Sequence, residues 1–185
     1  MHLSRLKIDH FRNLRDFEVA FPRFVTDEDG ERREFSSHAV IGQNGSGKSN
    51  MIEAIVTIFR DLDLNKPTEF GYELEYSCRG HSIRVSAMEE NGRVTISDCE
   101  TGETKEFALS HLERKGKSYL PSHVFAYYSG RNERIEALFQ PHQQRFYDAL
   151  IGGNDELMRR LFYCRNVHSQ FVLLAYLLND DDECK

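Results

Sequence analysis

Apolar and polar side chains alternate along the start of the chain. Residues 3–9 follow this alternation, which predicts a half-buried strand. Residues 17–21 alternate again ahead of Pro22 and predict a second strand. The segment 26–32 is rich in charged residues and contains Gly30, a residue that tolerates positive φ. This segment predicts a solvated hairpin tip.

The pattern changes near residue 39. The short apolar run 39–41 predicts a strand that leads into a glycine-rich loop. From residue 49 to residue 62 the apolar positions recur at helical spacing and cover a wide face, which predicts a helix with one broad buried side. The sequence therefore predicts one strand–loop–helix unit here.

The middle of the chain returns to strict alternation. Segments 72–76, 82–86 and 93–96 each alternate, and the turn-forming pairs Asn91-Gly92 and Thr101-Gly102 lie between or after them. This arrangement predicts an antiparallel meander with tight turns. The β-prone run 124–128 then predicts one further strand.

The last third of the chain has a helical pattern. Residues 133–139 predict a helix, and Pro141 is suited to open the next one as its first residue. A third helix is predicted to start at Asp155, with an apolar stripe at Leu157, Leu161, Cys164, Phe171, Leu174 and Leu178. A chain that is β-rich first and helical last belongs to the α/β class with α+β character.

Composition and charge narrow the range of functions. The chain has 185 residues, 39% of them hydrophobic and 29% charged, which predicts a globular protein with one sizeable core. Its 24 basic and 30 acidic residues give a net charge of −6, so its bulk charge does not suit phosphate-backbone binding. The small basic cluster Arg159, Arg160 and Arg165 is predicted to be a solvated helix face.

Targeting signals and cysteine pairs are not evident in the sequence. The first twenty residues contain no signal-peptide core, and the longest strongly apolar run, 171–178, is less than half a membrane span. The four cysteines form no CxxC pair, which favours reduced thiols. We therefore expect a cytoplasmic protein without membrane contact.

One motif carries recognisable chemistry. Gly42-Gln43-Asn44-Gly45-Ser46-Gly47-Lys48-Ser49 matches G-x-x-x-x-G-K-[ST], the phosphate-binding P-loop. The glycines allow a tight turn that presents backbone N–H groups to phosphate oxygens, and the following helix directs its positive end to the same anion. Lys48 supplies a cation for the β- and γ-phosphates, and the Ser49 hydroxyl is a ligand for Mg²⁺. The sequence predicts binding of ATP with Mg²⁺.

Residues around this loop resemble a known family. Ile8-Asp9-His10-Phe11-Arg12-Asn13-Leu14 is similar to the strand and F-[RK]-[NS]-[LF] turn of the RecF/SMC/OLD group of ABC-type ATPases. Asn44-Gly45-Ser46-Gly47-Lys48-Ser49-Asn50 and the following Ile52-Glu53-Ala54-Ile55 resemble the loop and helix of that group. The resemblance is good over residues 1–60 and looser up to Arg131. That later stretch looks most like ATPase subunits of bacterial restriction-associated or anti-phage systems.

The resemblance implies roles for further residues. Arg12 and Asn13 would lie beside the nucleotide, with Arg12 reaching a phosphate or the base; a simple surface turn is the alternative. The binding residues implied by the family then run from Asn44 to Asn50. The family also has a Mg²⁺-ligating Gln after the strand that ends here near Tyr128, and this chain has Ser129, Gly130 and Arg131 there instead. That ligand stays unassigned, with Gln140, Gln143 and Gln144 as the nearest glutamines.

The catalytic half expected of such an ATPase is missing from the sequence. There is no L-S-G-G signature. Asp182-Glu183 follows the apolar run 171–178 and imitates the Asp-Glu pair that ends a catalytic strand, but the Leu and Ala content of that run favours a helix. The catalytic residues are therefore unknown. Tyr127 and Tyr128 could stack on a base, although core packing is the preferred interpretation.

We thus interpret residues 1–185 as one partial ATPase domain. It contains a hairpin, P-loop and helix (1–62), a meander (68–128) and a helical segment (131–180), and we expect it to be the N-terminal lobe of a longer protein. The resemblance implies an ATPase that dimerises through ATP and acts with DNA in repair or anti-phage defence. The alternative is a nucleotide-sensing module that switches a partner nuclease or effector with little hydrolysis of its own. A P-loop kinase or GTPase fits less well, since no N-K-x-D motif is present.

Overall fold

A computed structural model describes residues 1–26, 29–88, 92–112, 119–128, 133–153 and 160–178. The protein is of mixed α+β type with a mostly antiparallel sheet, as the sequence predicts. It divides into two compact units, Met1–Pro121 and Ser122–Lys185.

Among its described residues, the first unit contains eight strands, one long helix and one turn of 3₁₀ helix at Leu109–His111. The elements are β1 (His2–Phe11), β2 (Leu14–Ala20), β3 (Phe24–Thr26), β4 (Arg32–Glu34), α1 (Lys48–Leu64), β5 (Tyr72–Cys78), β6 (His81–Ser86), β7 (Arg93–Asp98) and β8 (Thr104–Ala108). Six strands form one sheet in the order β2-β1-β5-β6-β7-β8, with every neighbouring pair antiparallel. Strands β3 and β4 form a separate hairpin.

One face of the six-stranded sheet forms the core with α1. Alternate residues of four strands are almost fully buried: Leu6, Ile8, Tyr72, Leu74, Tyr76, Ile83, Val85, Val94 and Ile96. The Phe59 ring of α1 meets Tyr76 of β5 edge to face, with 5.5 Å between ring centroids. Apolar and polar side chains therefore alternate along these strands because only one face of the sheet is covered.

The opposite face of the sheet carries paired charges. Arg5 on β1 contacts Glu18 on β2 at 2.8 Å and both Glu73 and Glu75 on β5 at 3.4 Å. Arg84 on β6 contacts the same two glutamates at 3.1 and 3.5 Å. Opposite charges on neighbouring strands stabilise the sheet modestly and cancel each other's field, so this face is poorly suited to hold a polyanion.

The turn between β7 and β8 gives a testable pH dependence. Backbone N–H groups of Thr101 and Glu100 donate to Asp98 Oδ1, each at 2.8 Å, and together with the nearby His81 they lower the pKa of the Asp98 carboxyl. Because the folded-state pKa is lowered, the stabilisation is present above the unfolded pKa near 4 and is lost as the pH falls through the folded value. Urea unfolding at pH 6 and pH 3 should therefore show a smaller loss of stability in Asp98→Asn than in the unsubstituted chain. Glu100→Gln in the same turn is the matched control, and an equal flattening there would contradict the assignment.

The second unit contains two strands and three helices among its described residues. They are β9 (Val124–Tyr127), α2 (Glu133–Ala137), α3 (Gln140–Ile151), β10 (Leu161–Cys164) and α4 (Asn166–Leu178). Strands β9 and β10 pair in parallel. Ile135, Phe139, His142 and Leu161 are buried in this unit. Helix α3 begins at Gln140, one residue before the predicted first residue Pro141, which lies in its first turn.

Two predicted elements are wrong. The run 39–41 is not part of any strand, and Ile41 is 94% exposed. Residues 161–164 form β10 and not part of a long helix; the predicted start at Asp155 and Leu157 lies outside the described residues. The aromatic run Leu161–Cys164 suits a strand once β9 offers a partner, and this pairing overrides the helical spacing.

Two further predictions concern the second unit. Residues 171–178 are helical in α4, which confirms the helix interpretation of this run over the strand one, and their large side chains are exposed. Tyr127 and Tyr128 are 61% and 37% exposed, so the prediction that they pack in the core is wrong. No helix among the described residues combines the length and apolar character needed to cross a membrane.

Candidate phosphate-binding loop

The glycine-rich loop leads directly into α1. The helix begins at Lys48, and Gly47 caps it in the left-handed region with φ of 98°. Gly45 also has positive φ, at 82°. Residues other than glycine adopt this backbone region only at a cost in free energy. The backbone path of the loop therefore favours glycine at positions 45 and 47.

Close packing also disfavours a side chain at Gly47. A Cβ atom there would lie 2.7 Å from Leu14 Cδ2 and 3.1 Å from Asn13 Oδ1. A Cβ atom on Gly42 would lie 2.7 Å from Ser46 Oγ, whereas one on Gly45 would meet nothing within 4 Å. The loop is therefore packed tightly against the β1–β2 hairpin at Gly47.

The Lys48 side chain folds back over this loop. Its Nζ donates to the backbone oxygens of Gly42 and Gln43, at 2.6 and 2.7 Å. The cation thus lies where the loop backbone turns, next to the N-terminal end of α1 with its unpaired N–H groups. The first turn of α1, which is described throughout, has no acidic residue. A compact anion is the chemical species that suits this combination of charge and N–H donors.

Asparagine side chains connect the loop to the hairpin. Asn50 Nδ2 donates to Asn13 Oδ1 at 2.7 Å, and Asn13 Nδ2 donates to the Gly45 oxygen at 2.9 Å. Asn13 therefore lies at the loop and contacts its backbone.

Arg12 forms an ion pair with Glu53, a residue that the sequence analysis did not assign to the site. Its Nη2 donates to Oε1 of Glu53, which is on α1 and only 3% exposed. The residues are 41 positions apart, so no local spacing reveals the pair. The available signal is an acidic residue inside the broad apolar face of the predicted helix, because a buried carboxylate needs a compensating partner.

The remaining predicted site residues are placed as follows. Asn44 and Ser46 are exposed in the loop, and Ser49 is half-buried in the first turn of α1. Asp182 and Glu183 lie outside the described residues. Within the described ranges, no group of three or more His, Cys, Asp or Glu side chains could hold a metal ion. A Mg²⁺ ion that is held mainly by phosphates and one hydroxyl needs no such group. No protein-family model matches the chain, and no curated protein matches it in sequence.

Proposed function

We propose that residues 42–50 bind the triphosphate of ATP together with Mg²⁺, and that the chain is the ATP-binding lobe of a dimerising ABC-type ATPase. The observation that carries the proposal is the convergence of the Lys48 cation and the α1 N-terminus on one glycine-lined loop. Both sources of positive potential lie at the same loop, and no carboxylate is present in the first helical turn to oppose them.

Each residue has a role in this proposal. Backbone N–H groups of residues 45–49 would hold phosphate oxygens, and Lys48 would exchange its two carbonyl partners for the β- and γ-phosphates. Ser49 would supply its hydroxyl to Mg²⁺, which neutralises charge on the bridged phosphates. ATP bound in this way would join two lobes, and its hydrolysis would release them. The proposed role in DNA repair or anti-phage defence follows from the family resemblance.

The decisive test is calorimetric titration of the chain with ATP and Mg²⁺. Lys48→Ala is expected to weaken binding about 10- to 100-fold, because it removes a charged hydrogen-bond donor to the phosphates. The matched control is Lys66→Ala, an exposed lysine just beyond the C-terminal end of α1. Equal affinities of the Lys48 variant and the unsubstituted chain would contradict the proposal.

The exposed helix α4 favours a second function, a nucleotide-sensing module that switches a partner. Its large apolar residues Phe171, Val172, Leu173, Leu174, Tyr176, Leu177 and Leu178 are each more than half exposed. A helix that is apolar on all sides is usually buried against other protein. Both functions predict binding without phosphate release, because the catalytic half of the ATPase is missing from the sequence, and release by the chain alone would contradict that interpretation. ATP-dependent dimerisation of the chain favours the ATPase lobe, and a nucleotide-bound monomer favours the sensing module.

A further inference from the structure

The turn between β1 and β2 has an unusual backbone. Phe11 pairs with Leu14, so Arg12 and Asn13 are its two central residues. Arg12 has φ of 57°, a left-handed value that is costly for an arginine and that glycine would adopt freely. Such values persist where surrounding contacts enforce them. The contacts of the Arg12 side chain therefore explain why this position is not a glycine.

The main contact of Arg12 is the buried carboxylate of Glu53. Glu53 lies on α1, four residues after Ser49 and therefore one helical turn further from the loop. The Arg12 guanidinium donates to it and also lies over the Phe11 ring, with Cζ 5.3 Å from the ring centroid. The pair compensates a carboxylate that would otherwise be a buried negative charge close to the phosphate-binding loop.

Two residues of α1 hold the turn from the same side. Asn50 and Glu53 are three positions apart and so share one face of the helix. Glu53 binds Arg12, while Asn50 binds the adjacent Asn13. Asn13 in turn donates to the Gly45 oxygen in the loop. Glu53 is thus connected to the loop backbone by the Arg12 ion pair, the peptide bond between Arg12 and Asn13, and the hydrogen bond from Asn13 to Gly45.

Asn13 also lies near a second glycine of the loop. Its amide oxygen lies 3.1 Å from where a Gly47 Cβ would be, so a side chain at position 47 would displace it. A rotation of the turn that moved the Asn13 amide away from Gly45 would break the hydrogen bond to the loop. The position of the turn, and with it the ion pair, therefore affects the shape of the loop.

We infer that Glu53 is a positioning residue of the phosphate-binding loop. It acts through Arg12, which holds the turn, and through Asn13, which anchors Gly45; it does not touch the nucleotide itself. This inference rests on the proposed function, since it concerns the affinity of the same loop for MgATP. The Arg12 cation also keeps the Glu53 carboxylate from repelling the phosphates.

A double-mutant cycle tests the inference. Dissociation constants for MgATP are measured for the unsubstituted chain, Arg12→Gln, Glu53→Gln and the double variant, at a temperature where circular dichroism shows each to be folded. Each single substitution is expected to raise the Kd about 5- to 20-fold. The double variant is expected to match Glu53→Gln, because both lack the same coupled contact and neither leaves an uncompensated Glu53 carboxylate beside the loop. Glu69→Gln, at an exposed glutamate beyond α1, is the matched control and should bind as the unsubstituted chain does.

The outcomes separate this inference from the proposed function. Unchanged or tighter binding by Glu53→Gln, or additive effects in the double variant, overturns the positioning role while Lys48-dependent binding persists. If the unsubstituted chain shows no Lys48-dependent binding, both proposals fail. Should Arg12→Gln fail to fold, Arg12→Lys takes its place in the cycle: it keeps a cation for Glu53, so it is expected to bind more tightly than Glu53→Gln, and binding no tighter than that overturns the role.

Discussion

Gly47→Ala is expected to destabilise the first unit by about 2–5 kcal/mol and to abolish measurable MgATP binding. Two costs add together. A side chain at φ of 98° costs about 1–2 kcal/mol, and a Cβ atom 2.7 Å from Leu14 Cδ2 adds about 1–3 kcal/mol because Leu14 is buried and cannot move freely. Any relief by movement of the loop would displace the N-terminal end of α1. Urea unfolding followed by far-UV circular dichroism, together with calorimetric titration, measures both effects.

Gly80→Ala is the control for this substitution. Gly80 lies in the turn between β5 and β6 with φ of 77°, and a Cβ atom there would meet nothing within 4 Å. We expect only the conformational cost of about 1–2 kcal/mol and unchanged nucleotide affinity. If the two alanine variants behave alike in both measurements, the close contact between Gly47 and the hairpin has no energetic role.

Ile58→Ala should lower the free energy of unfolding by about 2–5 kcal/mol. Ile58 is 0% exposed on the face of α1 that forms the core, and truncation removes three methyl or methylene carbons from a packed site. The same substitution at Ile52, which is 43% exposed on the same helix, should change the stability by less than about 0.5 kcal/mol. Chemical denaturation of both variants measures the difference. Similar losses would mean that the core does not lie on the Ile58 side of α1.

Local patterns predicted most of the first unit. Strand β5 reads Tyr72, Leu74, Tyr76 and Cys78 on its buried face, and alternation of this kind identifies a strand without knowledge of its partners. Helix α1 is predicted for the same reason, since its apolar face is broad and continuous. Short connections then place β2 beside β1 and keep β5, β6, β7 and β8 in sequence order. The pairing of β1 with β5 depends on no such turn.

Pairings between distant segments could not be predicted in this way. Strand β10 pairs with β9, and about 35 residues separate the two partners, so nothing close to Leu161 in sequence indicates the strand. Its apolar positions also continue the helical spacing that α4 follows later. The apolar run 39–41 was predicted to be a strand but does not form one. A hydrophobic run becomes a strand only when another strand pairs with it.

The candidate site likewise has a part that local sequence predicts and a part that depends on distant contacts. Glycine spacing, Lys48 and Ser49 are a local signature of the loop, and the loop does lie at the start of α1 as predicted. The contacts that fix its shape come from elsewhere in the chain. Leu14 and Glu53 contribute through packing and an ion pair that join the hairpin to the helix, and such contacts depend on the completed fold.

The paired charges on the outer face of the sheet also protect the chain against incorrect strand pairing. A slip of β5 by one residue would turn Glu73 and Glu75 into the core and expose Leu74 to water. A slip by two residues that placed Ser77 opposite Arg5 would keep the faces but would move Glu73 out of reach of Arg5. Both errors are penalised before the last strands of the sheet are added, so a folding intermediate that contains β1 and β5 would already select the native alignment.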